Sequence, residues 1–131
     1  MLSIFSQKEL KRKLSKDQFL VTQKNKTEKP FLGKYYNYYE SGIYNCVVCQ
    51  NKLFCSDAKY DSGTGWPSFT QSYDSSCLNL LPDKLLKTNR IEARCRNCNA
   101  YLGYVFNDGP VNSGGKRFCI NSIALKFKNK I

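Results

Sequence analysis

Two short stretches, Cys46-Val47-Val48-Cys49 and Cys95-Arg96-Asn97-Cys98, decide how this chain folds. In each stretch two thiols stand three positions apart, so one turn can direct both of them at the same metal ion. Four thiolates complete the tetrahedral coordination of a structural zinc and leave no open position for water or substrate. We therefore predict a structural zinc bound by Cys46, Cys49, Cys95 and Cys98. The other interpretation of the spacing is two redox or unrelated turn motifs. Because a closed zinc site binds no substrate, the zinc interpretation places the chemistry elsewhere in the chain.

The overall composition excludes several classes of protein. A length of 131 residues indicates one domain with a single core, and we take residues 1–131 as that domain. The chain has no histidine, which excludes zinc hydrolases and Ser-His or Cys-His nucleophile pairs. It has no apolar run long enough to cross a membrane and no apolar signal segment. We expect a cytoplasmic protein, and a short organellar transit segment stays open as an alternative.

The positive charge is spread rather than concentrated on one face. Lysine and arginine number 21 against 10 acidic residues, for a net charge of +11. The charge is densest at residues 8–16, 24–29 and 126–130, which are terminal or linker-like positions. A nucleic-acid binder would need clustered cations with interleaved surface aromatics, so we predict no nucleic-acid partner. We interpret the charge as help in recruiting an acidic protein partner, and we expect a monomer.

Hydrophobic periodicity and turn residues predict a mainly β fold. Residues 6–23 carry an amphipathic helical pattern, with Ser15 as an N-cap of a helix that ends near residue 25. Residues 27–33 are expected to be an extended connector. Residues 61–69 are predicted as a glycine-rich loop, and residues 70–86 as an irregular stretch. The predicted strands are residues 42–48, 51–55, 91–95, 100–106, 117–121 and 122–127.

Cys119 is the candidate nucleophile among the three cysteines outside the metal pairs. It follows Lys116 and Arg117, and a neighbouring positive charge lowers the pKa of a thiol and favours the nucleophilic thiolate. Asn121 stands two residues further on, so in a strand its side chain projects from the same face as Cys119. A carboxamide beside a thiolate suits the binding of a polar oxygen. The alternative is a buried structural cysteine on a strand.

The tryptophan of this chain lies in a loop. Trp66 occurs in Gly63-Thr64-Gly65-Trp66-Pro67-Ser68-Phe69, which has too many glycines for a regular element. A tryptophan of the core usually lies on a helix or strand. The position therefore favours an apolar binding surface over simple packing.

Four longer motifs in this chain point to one known family. They are Gly42-Ile43-Tyr44-Asn45-Cys46-Val47-Val48-Cys49, Asp61-Ser62-Gly63-Thr64-Gly65-Trp66-Pro67-Ser68-Phe69, Leu102-Gly103-Tyr104-Val105-Phe106-Asn107-Asp108-Gly109-Pro110 and Arg117-Phe118-Cys119-Ile120-Asn121-Ser122. Over residues 14–127 the chain closely resembles the B-type methionine sulfoxide reductases, which act on the R epimer of methionine sulfoxide in oxidised proteins. The resemblance implies two antiparallel sheets, a structural zinc knuckle, a short helical N-terminus and a thiol reductase recycled by a thioredoxin-like reductant.

The resemblance also implies roles for individual residues. Cys119 matches the catalytic cysteine, Trp66 matches the residue that receives the methyl group of the substrate, and Arg117 and Asn121 match residues that flank the nucleophile. Phe118, beside the nucleophile, is assigned to substrate binding. The implied mechanism is attack of the Cys119 thiolate on the sulfoxide sulfur, which leaves a sulfenic acid that a second thiol converts to a disulfide.

The chain departs from the family pattern in two ways. Tyr101 and Tyr104 stand where the family has histidines that bind and protonate the sulfoxide oxygen, and a phenol is a weaker acid than imidazolium. This loss keeps a second interpretation open, a zinc-stapled binding module without catalysis. Thr64 stands where many members have the recycling cysteine. Regeneration must then use Cys77, which we favour because its serine-rich stretch suggests mobility, or Cys55, or an external thiol.

Overall fold

The computed structural model describes residues 5–82 and 91–129 of the chain. Within these residues two helices precede nine strands. The helices are α1 (Gln7–Lys13) and α2 (Lys16–Lys24), and neither of these is long and apolar enough to cross a bilayer. The strands are β1 (Gly42–Cys46), β2 (Lys52–Cys55), β3 (Lys59–Tyr60), β4 (Ser68–Phe69), β5 (Leu78–Pro82), β6 (Ile91–Cys95), β7 (Tyr101–Phe106), β8 (Arg117–Ile120) and β9 (Leu125–Asn129).

Both helices begin with a capping box, which explains where they start. The hydroxyl groups of Ser6 and Ser15 accept hydrogen bonds from the backbone of Glu9 and Gln18, whose side chains accept in return from the backbone of the caps. Such caps stabilise a helix by about 1 kcal/mol each. Helix α2 ends at Asn25, whose φ of 58° is left-handed. The predicted N-cap at Ser15 and the predicted end near residue 25 are confirmed.

The strands form two antiparallel sheets that pack through an aromatic layer. The sheets have the strand orders β2-β1-β9 and β3-β4-β8-β7-β6-β5. Between them, Phe54 stacks on Phe69 with ring centroids 4.3 Å apart and meets Phe118 edge-on at 5.9 Å, while Tyr44 meets Phe69 at 5.2 Å. All four rings are buried. The predicted mainly β fold with two antiparallel sheets is confirmed.

Strand register aligns a row of polar side chains across the larger sheet. Tyr60 of β3 pairs with Ser68 of β4, and Ser68 pairs with Cys119 of β8. Cys119 pairs on its other side with Tyr104 of β7, which pairs with Glu92 of β6. Residues directly opposite each other in antiparallel strands project from the same face. The neighbours of this row on β4 and β8 belong to the aromatic layer, so the row lies on the outer face of the sheet.

Several segments differ from the sequence-based prediction. Ser68–Phe69, at the end of the predicted glycine-rich loop, form β4, and residues 47–48, predicted as strand, lie in the turn after β1. Residues 78–82, predicted to be irregular, form β5, which pairs along its whole length with β6. The sequence signal for a strand was weak because β5 is an edge strand that ends in Pro82. Residues 83–86, the rest of the stretch predicted as irregular, lie outside the described residues. Ser122–Ala124, predicted as the start of a strand, forms a 3₁₀ turn in which Ala124 N donates to Asn121 O.

Candidate active site and metal centre

The two Cys-x-x-Cys stretches form turns of the same geometry. The first joins β1 to β2 and the second joins β6 to β7. In each, the residue after the second cysteine donates its backbone N–H to the carbonyl of the first, at 2.9 Å for Gln50 to Cys46 and 2.8 Å for Asn99 to Cys95. Gln50 and Asn99 have left-handed φ values of 67° and 65°, which let the chain turn back immediately after the second cysteine and enter the next strand. Each turn therefore directs both of its thiols to one side.

The two turns bring their four sulfur atoms together. The Sγ atoms of Cys46, Cys49, Cys95 and Cys98 all lie within 4.8 Å of one another, and the closest pairs across the turns are 3.6 Å apart. A tetrahedral zinc with bonds of about 2.3 Å needs sulfur atoms about 3.8 Å apart, so the cluster fits such an ion. Three of the four cysteines are buried. This cluster can hold a metal ion away from solvent.

Neighbouring side chains form hydrogen bonds to the four-cysteine cluster and to its first turn. Asn51 Nδ2 donates to Cys95 Sγ at 3.8 Å, across the two turns. Lys13 Nζ donates to Val48 O inside the first turn at 2.5 Å, which connects the end of α1 to it. Such outer contacts orient metal ligands and offset the negative charge of thiolates.

A cleft of about 230 Å³ opens on the outer face of the larger sheet, over β7 and β8. Six residues singled out in the sequence line it, namely Trp66, Tyr101, Tyr104, Arg117, Cys119 and Asn121. They come from strands and loops far apart in the chain, and the fold brings them together. A larger depression of about 620 Å³ beside α2 and β9 has no cysteine among the described residues that line it. The smaller cleft is therefore the candidate active site.

Cys119 is half-buried in the wall of this cleft. Burial raises the pKa of its thiol, and the charge of Arg117 and hydrogen bonds from Thr64 and Arg117 oppose that rise. The sequence predicted a lowered pKa from the adjacent cations. Arg117 does act in that direction, but the cost of burying a thiolate is larger, so the pKa of the resting thiol lies above its usual value.

Arg117 is held in a fixed orientation beside the thiol. Its Nε and Nη2 atoms donate to the two carboxylate oxygens of Asp108 at 2.8 and 3.1 Å, and its guanidinium stacks 4.2 Å from the ring centroid of Phe106. The ion pair lowers the pKa of Asp108 below its usual value. A bidentate pair of this kind fixes a guanidinium geometrically, so its charge is directed at Cys119.

Trp66 is anchored by the connector that follows α2. Its indole Nε1 donates to the backbone carbonyl of Glu28 at 2.9 Å. The preceding residues are also held, because the hydroxyl groups of Ser62 and Thr64 are 2.8 Å apart and Ser62 contacts Ser68 at 2.7 Å. The loop thus presents a half-buried indole to the cleft in one orientation. Thr64, at the position of the family's second cysteine, reaches the thiol of Cys119.

Tyr101 and Tyr104 form a pair of hydrogen-bonded phenols over the cleft. Their rings meet edge-on with centroids 5.9 Å apart, and the hydroxyl of Tyr101 bonds to Tyr104 and to Thr27. Tyr101 is buried, and burial together with the bond to Tyr104 raises its pKa. Tyr104 lies directly opposite Cys119 in the strand register. Tyr101 is therefore a neutral hydrogen-bond donor rather than an acid near neutral pH.

Two of the predicted site residues have other contacts. Asn121 lines the cleft, but its Oδ1 accepts from Glu28 N at 3.0 Å and its Nδ2 donates to Leu102 O at 3.0 Å, so its amide mainly joins two chain segments. Phe118 is 6% exposed and packs on Phe54 in the core. It projects to the face opposite Cys119, because successive residues of a strand alternate. The assignment of Phe118 to substrate binding is therefore wrong.

The two candidate recycling cysteines lie far from Cys119. Cys77 is 4% exposed next to β5, with its Sγ near Leu53 O and Asp74 O, and burial raises its pKa. Cys119 lies on β8, and strands β7 and β6 lie between β8 and β5. Three steps between neighbouring strands separate β5 from β8 by about 14 Å, whereas a disulfide needs Cα atoms within about 7 Å. Cys55 follows inward-facing Phe54 on β2, so it projects from the outer face of the other sheet. The expected mobility of Cys77 is contradicted by its burial.

Sequence reasoning missed three residues at this site. Phe106 follows Tyr104 by two positions, and strand alternation could have placed it in the cleft. Asp108 lies in the Asn-Asp-Gly-Pro turn that the sequence marked, but its pairing with Arg117 depends on the hairpin of β7 and β8. Thr27 had no local signal, because it reaches the cleft only through docking of the connector onto the sheet.

Comparison with known proteins gives consistent matches over most of the chain. The SelR domain family matches residues 14–129. A protein of Danio rerio named methionine-R-sulfoxide reductase B2, mitochondrial, is 49% identical over 124 residues, which cover 89% of this chain and 68% of that protein. Proteins of Burkholderia thailandensis and Burkholderia pseudomallei named peptide methionine sulfoxide reductase MsrB are each 48% identical over 122 residues, covering 93% of this chain and 85% of theirs.

Proposed function

Because the chain belongs to the SelR domain family, we propose that it is an oxidoreductase that reduces the R epimer of methionine sulfoxide in oxidised proteins to methionine. The observation that carries the proposal is the cleft in which Cys119, Trp66, Tyr104 and Arg117 meet. A binding module without catalysis is not favoured, because recognition alone needs no thiol supported by a fixed guanidinium.

Cys119 supplies the electrons of the reduction. Its thiolate attacks the sulfoxide sulfur, the oxygen gains a proton and is transferred to the cysteine, and methionine leaves. The sulfoxide is reduced by two electrons while Cys119 is oxidised by two electrons to a sulfenic acid. The guanidinium of Arg117 opposes the cost of burial and stabilises the thiolate when it forms.

The walls of the cleft select and activate the sulfoxide. The indole of Trp66 provides an apolar surface for the methyl group, fixed by its bond to Glu28 O. The phenol of Tyr104 donates a hydrogen bond to the sulfoxide oxygen as negative charge develops there, and Tyr101 orients that phenol through its own hydrogen bond to Tyr104. One wall for the methyl group and another for the oxygen distinguish the two epimers at sulfur.

The four-cysteine cluster is proposed to hold a structural zinc. Cys46, Cys49, Cys95 and Cys98 supply only thiolates, which zinc accepts in closed tetrahedral sites. A zinc ion held by these four thiolates would cross-link the two turns and would have no open position for the substrate.

Regeneration is proposed to use an external dithiol of the thioredoxin type. One of its thiols condenses with the sulfenic acid of Cys119, releasing water, and the second resolves the mixed disulfide and restores the Cys119 thiol. This route follows from the distances of Cys55 and Cys77 from the cleft. Free cysteines throughout the chain suit a reducing compartment, and we propose a monomer acting in the cytoplasm.

Assays with dithiothreitol and each epimer of a methionine sulfoxide peptide test this function. The unmodified protein should reduce the R epimer and not the S epimer. Cys119→Ser should abolish that activity while metal content stays unchanged, and the matched control Cys55→Ser should retain the full rate. Turnover by the Cys119→Ser protein, or equal reduction of both epimers, would contradict the proposal.

A further inference from the structure

Two large apolar side chains are exposed next to each other beside the cleft. Phe31 is 56% exposed and Leu32 is 76% exposed. They belong to the connector after α2, whose earlier residues Thr27 and Glu28 contact the active site. Single exposed apolar residues are common, but an adjacent pair at the edge of a binding cleft suggests a contact surface.

The backbone holds Phe31 in an exposed position. Its φ of 68° is left-handed, a conformation that bulky side chains rarely adopt. Its N–H donates to Gly65 O at 2.7 Å, and its ring meets Tyr36 edge-on with centroids 5.4 Å apart. A Cβ atom on Gly65 would come within 2.8 Å of the Phe31 ring, so the ring lies directly against the residue that precedes Trp66.

A groove continues from the cleft along the same connector. It has a volume of about 380 Å³, and Thr27 lines both the groove and the cleft. Leu32 lies in its wall, together with the lysines Lys26, Lys29 and Lys34. Asp17 and Glu28 also line the groove, but Glu28 is buried and accepts from Ile123 N, so three exposed lysines stand against the one exposed carboxylate of Asp17. The groove therefore offers an apolar contact within a mainly basic rim.

We propose that Phe31, Leu32 and this groove, together called the connector surface, bind the stretch of polypeptide next to the oxidised methionine. The inference rests on the proposed function, because a methionine sulfoxide seated against Trp66 requires its own chain to leave the cleft nearby. A segment that passes Thr27 enters the groove and meets Leu32 and the lysines. The connector surface thus favours substrates with apolar and acidic residues beside the methionine sulfoxide, and disfavours basic ones.

Fluorescence titration tests the connector surface without requiring turnover. Trp66 is the one tryptophan of the chain, so its emission reports occupation of the cleft. In the Cys119→Ser background, the ligands are an R-sulfoxide peptide with Leu and Glu on both sides, the same peptide with Ser and Gln, and N-acetyl-methionine-R-sulfoxide amide. The double substitution Phe31→Asn with Leu32→Ser removes both apolar side chains, and asparagine tolerates the left-handed backbone at position 31.

We expect the Leu/Glu peptide to bind about tenfold more weakly to the double variant, and the blocked single residue to bind equally well. The control Leu80→Ser, an exposed leucine of β5, should change neither affinity. Lys29→Glu should remove the preference for the Glu peptide, and Lys128→Glu on β9 should not. Equal losses for both ligands, or no loss for the peptide, would overturn the inference. Absence of sulfoxide reduction by the unmodified protein would instead remove the proposed function, and these titrations would still decide the connector surface.

Discussion

Tyr101 and Tyr104 supply hydrogen-bond donors that behave differently from imidazoles. A histidine changes charge near pH 6.5, so a cleft built on it loses or gains a donor within the physiological range. Burial raises the pKa of Tyr101, which keeps its hydroxyl protonated well above neutral pH. Its bonds to Tyr104 and Thr27 orient the pair toward the space above Cys119. We interpret the phenol pair as a substitute for the histidines of the similar proteins, in which burial of Tyr101 keeps its hydroxyl protonated.

Removing the hydroxyls should slow the reaction. Tyr104→Phe should lower kcat by roughly 10²-fold, because a donor to the developing oxyanion is lost while the ring shape remains. Tyr101→Phe should have a smaller effect, since Tyr101 acts only indirectly, by orienting Tyr104. Steady-state kinetics with dithiothreitol and an R-sulfoxide peptide measure both, with the exposed Tyr73→Phe as the control. Unchanged kinetics in the double variant would show that the phenols only pack.

At the scale of residues, the sequence predicted which residues belong to the site better than it predicted where their side chains project or how their pKa values shift. The local sequence singled out Cys119 and Trp66, the resemblance implied their roles, and both line the cleft. The assignment of Phe118 failed because neighbours on a strand face opposite ways, which the alternation rule alone could have shown. The pKa of Cys119 was predicted in the wrong direction, because adjacent charges are visible in the sequence while the depth of burial is not.

At the scale of elements, two cysteine turns of the same geometry, one from each sheet, meet at the four-cysteine cluster. The spacing of the thiols was visible in the sequence, whereas the left-handed residues Gln50 and Asn99 that close each turn were not. Strand β5 was also missed, because its pairing with β6 comes from the tertiary structure and not from its own pattern. Elements with strong local signals, such as the capped helix at Ser15, were predicted to within a residue or two.

Loss of the metal should destabilise the whole fold. We expect one zinc per chain by elemental analysis, and chelation should lower Tm by more than about 10 °C, because metal binding contributes directly to the free energy of folding. Cys49→Ser should have the same effect on Tm measured by circular dichroism. Cys55→Ser is the matched control, because Cys55 lies outside the cluster and should leave both metal content and Tm unchanged. A metal-free chain with an unchanged Tm would refute a structural metal.

At the scale of the whole molecule, the three thiols outside the four-cysteine cluster lie on separate surfaces, so that neither Cys55 nor Cys77 reaches Cys119. Cys55 lies on the outer face of the smaller sheet, Cys77 beside the edge strand of the larger sheet, and Cys119 on its outer face. The order of strands that sets these separations is a property of the complete topology. No local pattern could have revealed it, which explains why Cys77 seemed a reasonable partner in the sequence.

Recycling should therefore proceed without a second cysteine of this chain. The double variant Cys55→Ala with Cys77→Ala should retain turnover with a thioredoxin-type dithiol at the unmodified rate. After one equivalent of R-sulfoxide, dimedone labelling and mass spectrometry should find a sulfenic acid at Cys119. Thr64→Cys should instead give an internal disulfide with Cys119, because the Thr64 side chain already contacts that thiol. A natural crosslink of Cys119 to Cys55 or Cys77 would contradict this arrangement.

The separation of the two cysteine turns along the chain also sets an order for biosynthesis. While the ribosome is still adding residues after Cys49, the first turn has only two thiolates and cannot close a tetrahedral site. The site becomes complete once Cys98 has emerged, and closing so long a loop carries an entropic cost that the metal offsets. Cys119 is synthesised later still. A nascent chain therefore has all four cysteines of the cluster before Cys119 is added, so a metal ion can be bound there before the proposed nucleophile is present.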